Sequence, residues 1–129
     1  METQNNTAFS LSAEELEFCI SALQIEIEEV ERVMQDRTVT PDEKMEFEAY
    51  IQKLDAIQDQ FLMENNSFRS VDLLQVYQLV QQERDYMNDI LDHETIPPEM
   101  RREGQTHLRT ANSIMRKLRK YFKTFEIDV

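Results

Sequence analysis

Residues 12–34 of the chain read SAEELEFCISALQIEIEEVERVM. Ser12 and Glu15 form a predicted capping box. In this motif the Ser12 hydroxyl accepts a hydrogen bond from the Glu15 amide, and the Glu15 carboxylate accepts one from the Ser12 amide. Apolar residues then recur at alternating spacings of four and three, the pattern of one buried helix face. They are Leu16, Ile20, Leu23, Ile27, Val30 and Met34. This pattern predicts a first helix with a heptad-like seam over residues 12–37.

A second helix is predicted over residues 41–64. Thr40 suits the N-cap, Pro41 the first helical position and Glu43 the reciprocal capping-box position. One face is apolar as far as the polar residues 65–67, which supply a stop signal.

Two further helices follow around a proline pair. The third is predicted over residues 70–95, with Ser67 or Ser70 as its cap. The fourth is predicted over residues 98–124, because Pro98 suits a first helical turn and prolines disfavour helix in the residue before them.

The 129 residues include only one glycine and three prolines, the residue types that most often interrupt helices. Long helices joined by short connections are therefore expected. Short connections make neighbouring helices antiparallel. The predicted fold is therefore all-α, an antiparallel up-down-up-down four-helix bundle forming one domain over residues 1–129, with residues 1–11 as a flexible segment. A three-helix array with a protruding or swapped helix is the alternative.

Charge is distributed unevenly along the chain, whose formal net charge is −12. Residues 1–96 carry 22 acidic and six basic side chains, whereas residues 97–129 carry four acidic and eight basic ones. Because the acidic part repels phosphate, we expect no direct nucleic-acid binding.

No apolar run is long enough to span a membrane, Met1–Asn6 does not resemble a signal peptide, and there is a single cysteine. Cytoplasmic location is expected.

A second apolar lane runs along the back of the predicted first helix. Leu11, Phe18 and Ile25 lie nearly opposite the seam at seven-residue spacing, with Ala22 beside them. Exposed apolar stripes often mark partner surfaces, so the lane predicts a contact with a second copy or with another protein. Two other interpretations bury it: a more central first helix, or coverage by residues 7–9.

A row of basic side chains, which we call the basic ridge, lies opposite the apolar face of the predicted fourth helix. It consists of Arg102, Arg109, Arg116, Lys120 and Lys123. The ridge is either a solvated face that complements the helix dipole and an acidic body, or a docking surface. Its partner would be an acidic protein, the acidic helix of a second copy, or a phosphate backbone. Residues 116–123 also resemble an amphipathic membrane-binding stretch, but their apolar half belongs to the core, so no membrane binding is expected.

No catalytic, cofactor or metal site is predicted. His93 and His107 each follow a carboxylate at four-residue spacing, one residue longer than the Glu-x-x-His spacing of carboxylate-bridged metal bundles. Cys19 has no basic neighbour and is expected in the core. The only glycine, Gly104, lies within a predicted helix, which excludes a glycine-rich phosphate loop and favours close approach of Phe47 or Phe61.

These patterns favour a non-catalytic protein–protein interaction module, a small adaptor, regulator or inhibitor acting through helix faces. Self-association as a homodimer is part of the same hypothesis. The alternative is an acidic inhibitor that imitates DNA and blocks a nucleic-acid-binding protein. A helical-bundle enzyme or metal protein is the third hypothesis. The fold alone does not choose among them, because four-helix bundles serve many unrelated functions.

Overall fold

The computed structural model describes residues 10–63, 68–93 and 95–127. Within these ranges the chain forms α1 (Ala13–Met34), α2 (Pro41–Leu62), α3 (Ser70–Leu91) and α4 (Pro98–Thr124), and no strand. The prediction of an all-helical protein with four helices is confirmed. No helix in the described part of the chain combines the length and low polarity that a membrane-crossing segment needs.

Two of the three predicted side-chain caps are present. Ser12 and Glu15 exchange hydrogen bonds at the start of α1, with donor–acceptor distances of 2.8 and 3.2 Å. Thr40 and Glu43 make the same reciprocal pair at the start of α2, at 2.8 and 3.1 Å. Each pair satisfies backbone amides that the first helical turn leaves without partners.

The predicted serine cap of α3 is wrong for Ser70. The N-cap residue is Arg69, which makes no side-chain capping bond, and Ser70 is the first helical residue. Ser67 lies outside the described residues. Asp72 is buried in the first turn, where its carboxylate pairs with the Arg69 guanidinium at 3.3 Å. The negative charge of the Asp72 carboxylate also interacts favourably with the positive end of the helix dipole.

Two helices end earlier than the apolar pattern suggests. α1 stops at Met34, and the carboxylate of Asp36 then accepts bonds from the amide and hydroxyl of Thr38, a local turn that competes with helix. α3 stops at Leu91, and Arg101 donates to the carbonyl oxygens of Leu91 and His93, at 2.9 and 3.0 Å. This guanidinium satisfies carbonyl groups that the helix end leaves free.

The end of α4 is closed by backbone hydrogen bonds. The amide of Ile127 donates to the carbonyl of Phe122 at 2.7 Å, and that of Glu126 to Lys123 at 3.1 Å. Glu126 adopts the left-handed conformation, with φ of 59°. These are the two bonds of a Schellman motif, and Ile127 packs against the core. The chain is therefore fixed to the end of α4 rather than fraying there.

Helix α1 contacts each of the other three helices. Buried residues from all four helices form one core, against which Leu11 also packs, although the sequence places it in the flexible segment. Residues 1–9 of that segment lie outside the described chain.

A polar network joins three helices: the hydroxyl of Tyr50 donates to Glu26 at 2.9 Å and accepts from Gln75 at 3.2 Å. Burial and Glu26 together raise the pKa of Tyr50 to about 12, so the phenol keeps its proton.

Gly104 allows α4 to approach α3, not the phenylalanines of α2 that the sequence suggests. A Cβ atom at this position would lie 2.9 Å from Cδ2 of Leu91 and 3.0 Å from Sδ of Met87. The prediction of Phe47 or Phe61 as the neighbour is therefore wrong, because α3, and not α2, packs along this face of α4.

A buried carboxylate joins the start of α1 to α4. Glu15 is only 5% exposed. Besides capping α1, it accepts a hydrogen bond of 2.5 Å from the hydroxyl of Ser113 and pairs with the ammonium of Lys117 at 2.6 Å. Burial by itself raises the pKa of Glu15, but the bonds from Lys117, Ser113 and the Ser12 amide outweigh it and lower that pKa to about 2. The ionised side chain therefore favours the folded state.

Replacing Glu15 with glutamine tests this junction, because glutamine keeps the capping geometry and removes the charge. We expect Glu15→Gln to reduce the free energy of unfolding at pH 7 by an amount on the order of 3 kcal/mol. Because the pKa is depressed on folding, the ionised carboxylate stabilises the protein above about pH 4.5, and that contribution fades as the pH falls toward 2. Urea unfolding followed by circular dichroism at several pH values measures the difference.

Glu43→Gln is the matched control, since Glu43 holds the equivalent capping position in α2 but is exposed. It is expected to change the free energy of unfolding by less than about 0.5 kcal/mol. A deficit of Glu15→Gln that stays constant between pH 7 and pH 3 would contradict the role given to the charge.

Candidate interaction surfaces

The apolar lane on α1 is largely buried within the protomer. Phe18 is 7% and Ala22 4% exposed, Leu11 is half-buried, and Ile25 is 50% exposed. The prediction of an exposed lane is therefore wrong for Phe18 and Ala22. The physical reason is the central place of α1: α4 packs on this side, and the ring of Phe18 lies 4.4 Å, centroid to centroid, from that of His107.

The basic ridge, in contrast, lies on the surface. Arg102, Arg109, Arg116, Lys120 and Lys123 are all exposed. The buried residues of α4 lie on the opposite side of the helix. They are Gly104, Ala111, Ile114, Met115, Leu118, Tyr121 and Phe122. Among the residues that the structure describes, no carboxylate forms a salt bridge with a ridge side chain.

The other basic residues of α4 have intramolecular partners. Lys117 pairs with Glu15, and Arg101 closes the end of α3. Arg119 donates to the hydroxyl of Tyr77 at 3.2 Å. Among the ridge residues, Arg109 makes one side-chain bond within its own helix, to the hydroxyl of Thr106 at 3.1 Å. The basic side chains of α4 thus divide into a group that holds the fold together and a group directed at solvent.

Two depressions flank the first half of α4, and sequence reasoning missed both. The first, which we call the apolar pocket, has a volume of about 260 Å³ and lies between α3 and α4. Its lining is Met87, Ile90, Met100, Glu103, Gly104 and His107. The second, which we call the acidic pocket, also measures about 260 Å³ and lies between α1 and α4. It includes Glu14, Glu17, Phe18, Glu103 and His107.

The two depressions are adjacent, because Glu103 and His107 line both. The four-residue spacing of this pair is visible in the sequence, but their common location depends on how α4 sits against α1 and α3. Met100 is 54% exposed at the edge of the apolar pocket. The helices thus leave an open crevice beside the first turns of α4.

The groups considered for chemistry lie apart from one another. Cys19 is fully buried, and burial together with the Glu15 carboxylate raises the pKa of its thiol to about 12. Such a thiol stays protonated and packs as a small apolar side chain. His93 is exposed beyond the end of α3, whereas the ring of His107 packs against that of Phe18 at an interplanar angle of 40°. In residues 10–63, 68–93 and 95–127, no three His, Cys, Asp or Glu side chains gather in a group that could hold a metal ion.

Comparison of the chain with protein-family models, with curated proteins and with solved structures finds no match.

Two substitutions on α1 distinguish a buried lane from an exposed one. Phe18→Glu places an unpaired charge in the core, and we expect it to lower the free energy of unfolding by at least about 3 kcal/mol. Ile25→Glu is the control on the same lane: half of this residue is exposed, and the expected loss is below about 1 kcal/mol. Thermal unfolding measures both. A Phe18→Glu variant as stable as the parent but of lower molecular mass by light scattering would show that the lane is an interface instead.

Proposed function

We propose that this protein is a non-catalytic protein–protein interaction module that binds an acidic protein surface through the basic ridge of α4. The observation that carries the proposal is the exposure of Arg102, Arg109, Arg116, Lys120 and Lys123 on one side of one helix. No described carboxylate of the chain pairs with them, although acidic side chains far outnumber basic ones. The positive charge of the ridge is thus open to a partner.

The helix dipole accounts for only one end of the ridge. Its influence is confined to the first and last turns of a helix. Lys123 is in the last turn of α4 and gains from it. Arg102 is the fifth residue of α4, and Arg109 and Arg116 lie in the middle of the helix, so all three are outside the end turns. A binding role accounts for these three positions, which the helix dipole does not.

The dimensions of the ridge fit a rod-like acidic partner. At a rise of 1.5 Å per residue, Arg102, Arg109 and Arg116 follow one another at intervals of about 10 Å, and the ridge spans about 30 Å to Lys123. An acidic helix in a partner protein presents carboxylates at the same intervals. A nucleic acid is disfavoured because the rest of the chain is strongly negative and repels phosphate over distances of about 8 Å at physiological salt.

The proposal places the ridge on an up-down-up-down bundle with heptad-like seams. Contacts between helix ends support this topology. The start of α3 lies near the end of α4, where the hydroxyls of Ser70 and Tyr121 are 3.1 Å apart. Gln58, late in α2, donates to the carbonyl of Ile20, early in α1, at 3.1 Å. Both pairs fit antiparallel neighbours. The burial of Leu23, Ile27 and Val30 supports a seam along the second half of α1.

A binding role without catalysis fits the placement of the titratable groups. The Cys19 thiol is kept protonated in the core, so it is not available as a nucleophile. The proposal includes a cytoplasmic location, because a single unpaired cysteine is typical of proteins in reducing compartments.

Charge reversal on the ridge tests the proposal. We expect Arg109→Glu/Arg116→Glu to weaken binding of a protein partner, captured from an extract of the native host, by at least about tenfold, since interfacial repulsion replaces attraction. Binding by the wild-type chain is expected to weaken with added salt. Quantitative pull-down followed by calorimetry with the purified partner measures both effects.

Lys44→Glu/Lys53→Glu is the matched control, because both lysines are exposed on α2 and the change in net charge is the same. It is expected to leave the affinity within about twofold of the wild type. Equal binding by the ridge variant and the control would contradict a docking role for the ridge. A captured nuclease-like partner that DNA displaces would instead favour the acidic DNA-imitating inhibitor, and a mass that doubles only while the ridge is intact would identify the partner as a second copy.

A further inference from the structure

The apolar and acidic pockets together form a crevice with a defined chemistry. The apolar pocket is walled by Met87, Ile90 and Met100, with Glu103 and His107 at the side it shares with the acidic pocket. Its volume of about 260 Å³ exceeds the ~150 Å³ of an apolar cavity that takes up benzene in another protein. There is room for a large apolar or aromatic side chain.

The rim of this crevice is negatively charged. Glu14 and Glu17 on α1 face Glu103 on α4 across the acidic pocket, and all three are exposed. No described basic side chain forms a salt bridge with any of them. Carboxylates of α1 and α4 thus lie at the acidic pocket, directly beside the opening for an apolar side chain.

We propose that the crevice binds a basic amphipathic segment of a partner protein, with one bulky apolar side chain in the apolar pocket and a neighbouring lysine or arginine in the acidic pocket. The combination corresponds to helix-in-groove recognition, in which an apolar anchor supplies affinity and flanking charges supply selectivity. The methionines suit this role, because their flexible side chains adapt to the shape of an anchor.

The crevice and the basic ridge lie on different sides of α4. Glu103 and His107 face α1 and α3, whereas Arg102, Arg109 and Arg116 face away from the core. The crevice therefore takes a basic partner, whereas the ridge takes an acidic one. The two surfaces meet at Thr106, which lines the acidic pocket and accepts a hydrogen bond of 3.1 Å from Arg109. This binding site does not depend on the function proposed for the ridge.

Methionine methyl NMR on the full chain, titrated with a synthetic helical peptide of leucine and lysine carrying one tryptophan, tests the proposal. We expect saturable shifts of the Met87 and Met100 methyl groups, which line the apolar pocket. Met45 and Met63, exposed on and just after α2, are expected to stay unchanged. A peptide in which glutamate replaces every lysine is expected to bind at least about tenfold more weakly.

Two variants separate the contributions of charge and apolar contact. Glu17→Lys/Glu103→Lys is expected to reduce the affinity for the basic peptide by about fivefold to tenfold, whereas Glu46→Lys/Glu48→Lys, an equal charge change on exposed positions of α2, leaves it within about twofold. Met100→Gln is expected to weaken binding severalfold, and Met45→Gln to leave it unchanged. Each of these methionines is more than half exposed, so the fold tolerates the change.

Three results would overturn the proposal. Equal weakening by the α2 and crevice charge variants would show diffuse attraction to an acidic protein. Equal binding of the basic and acidic peptides, with indole alone shifting the same methyl groups, would show a pocket for small apolar molecules. Shifts of Met87 and Met100 that follow protein concentration without peptide would show a second copy in the crevice. Arg116→Glu/Lys120→Glu reverses the ridge in the second half of α4, away from the two pockets, and is expected to leave peptide binding intact, so failure of one proposal is distinguishable from failure of the other.

Discussion

The contact of α1 with all three other helices is the constraint on which this structure depends. A helix in that position needs apolar side chains on more than one side. Leu23 and Ile27 serve the common core, while Phe18 and Ala22 pack on the side where α4 lies. Because α1 fills the centre, α2 is left at the periphery with three buried residues, Leu54, Ile57 and Phe61. The exposed basic ridge lies on the outer side of α4, and the crevice lies where α4 meets α1 and α3.

Glu15 sets the orientation of α4 relative to α1. Removing a carboxylate from water costs several kcal/mol unless charged and polar partners replace the water. The Ser12 amide, Ser113 hydroxyl and Lys117 ammonium are those partners, and the last two belong to α4. A rotation of α4 about its axis would separate them from the carboxylate and leave it buried without partners. This junction therefore holds the apolar face of α4 inward and the basic ridge outward.

The sequence predicts the features that depend on local chemistry. The capping boxes at Ser12 and Thr40 are local, and the exposure of the ridge follows from the helical period once the apolar face of α4 is known. The apolar lane of α1 was misassigned because periodicity identifies an apolar side without identifying the neighbour that covers it. The neighbours of Gly104 and the two pockets also depend on how helices distant in sequence pack, which no spacing within one helix records.

The basic side chains of α4 show how one helix serves both the fold and recognition. Lys117 has its partner on α1 and Arg119 on α3, while Arg101 bonds to the end of α3 and just beyond it. These three side chains therefore stabilise the packing of α4 on its neighbours. The ridge side chains repel each other by only a few tenths of a kcal/mol per close pair, a small fraction of a typical folding free energy. The boundary between the basic ridge and the crevice lies at Thr106, which lines the acidic pocket and accepts a hydrogen bond from the Arg109 guanidinium. The ridge and the crevice are therefore neighbouring surfaces of opposite charge on one helix.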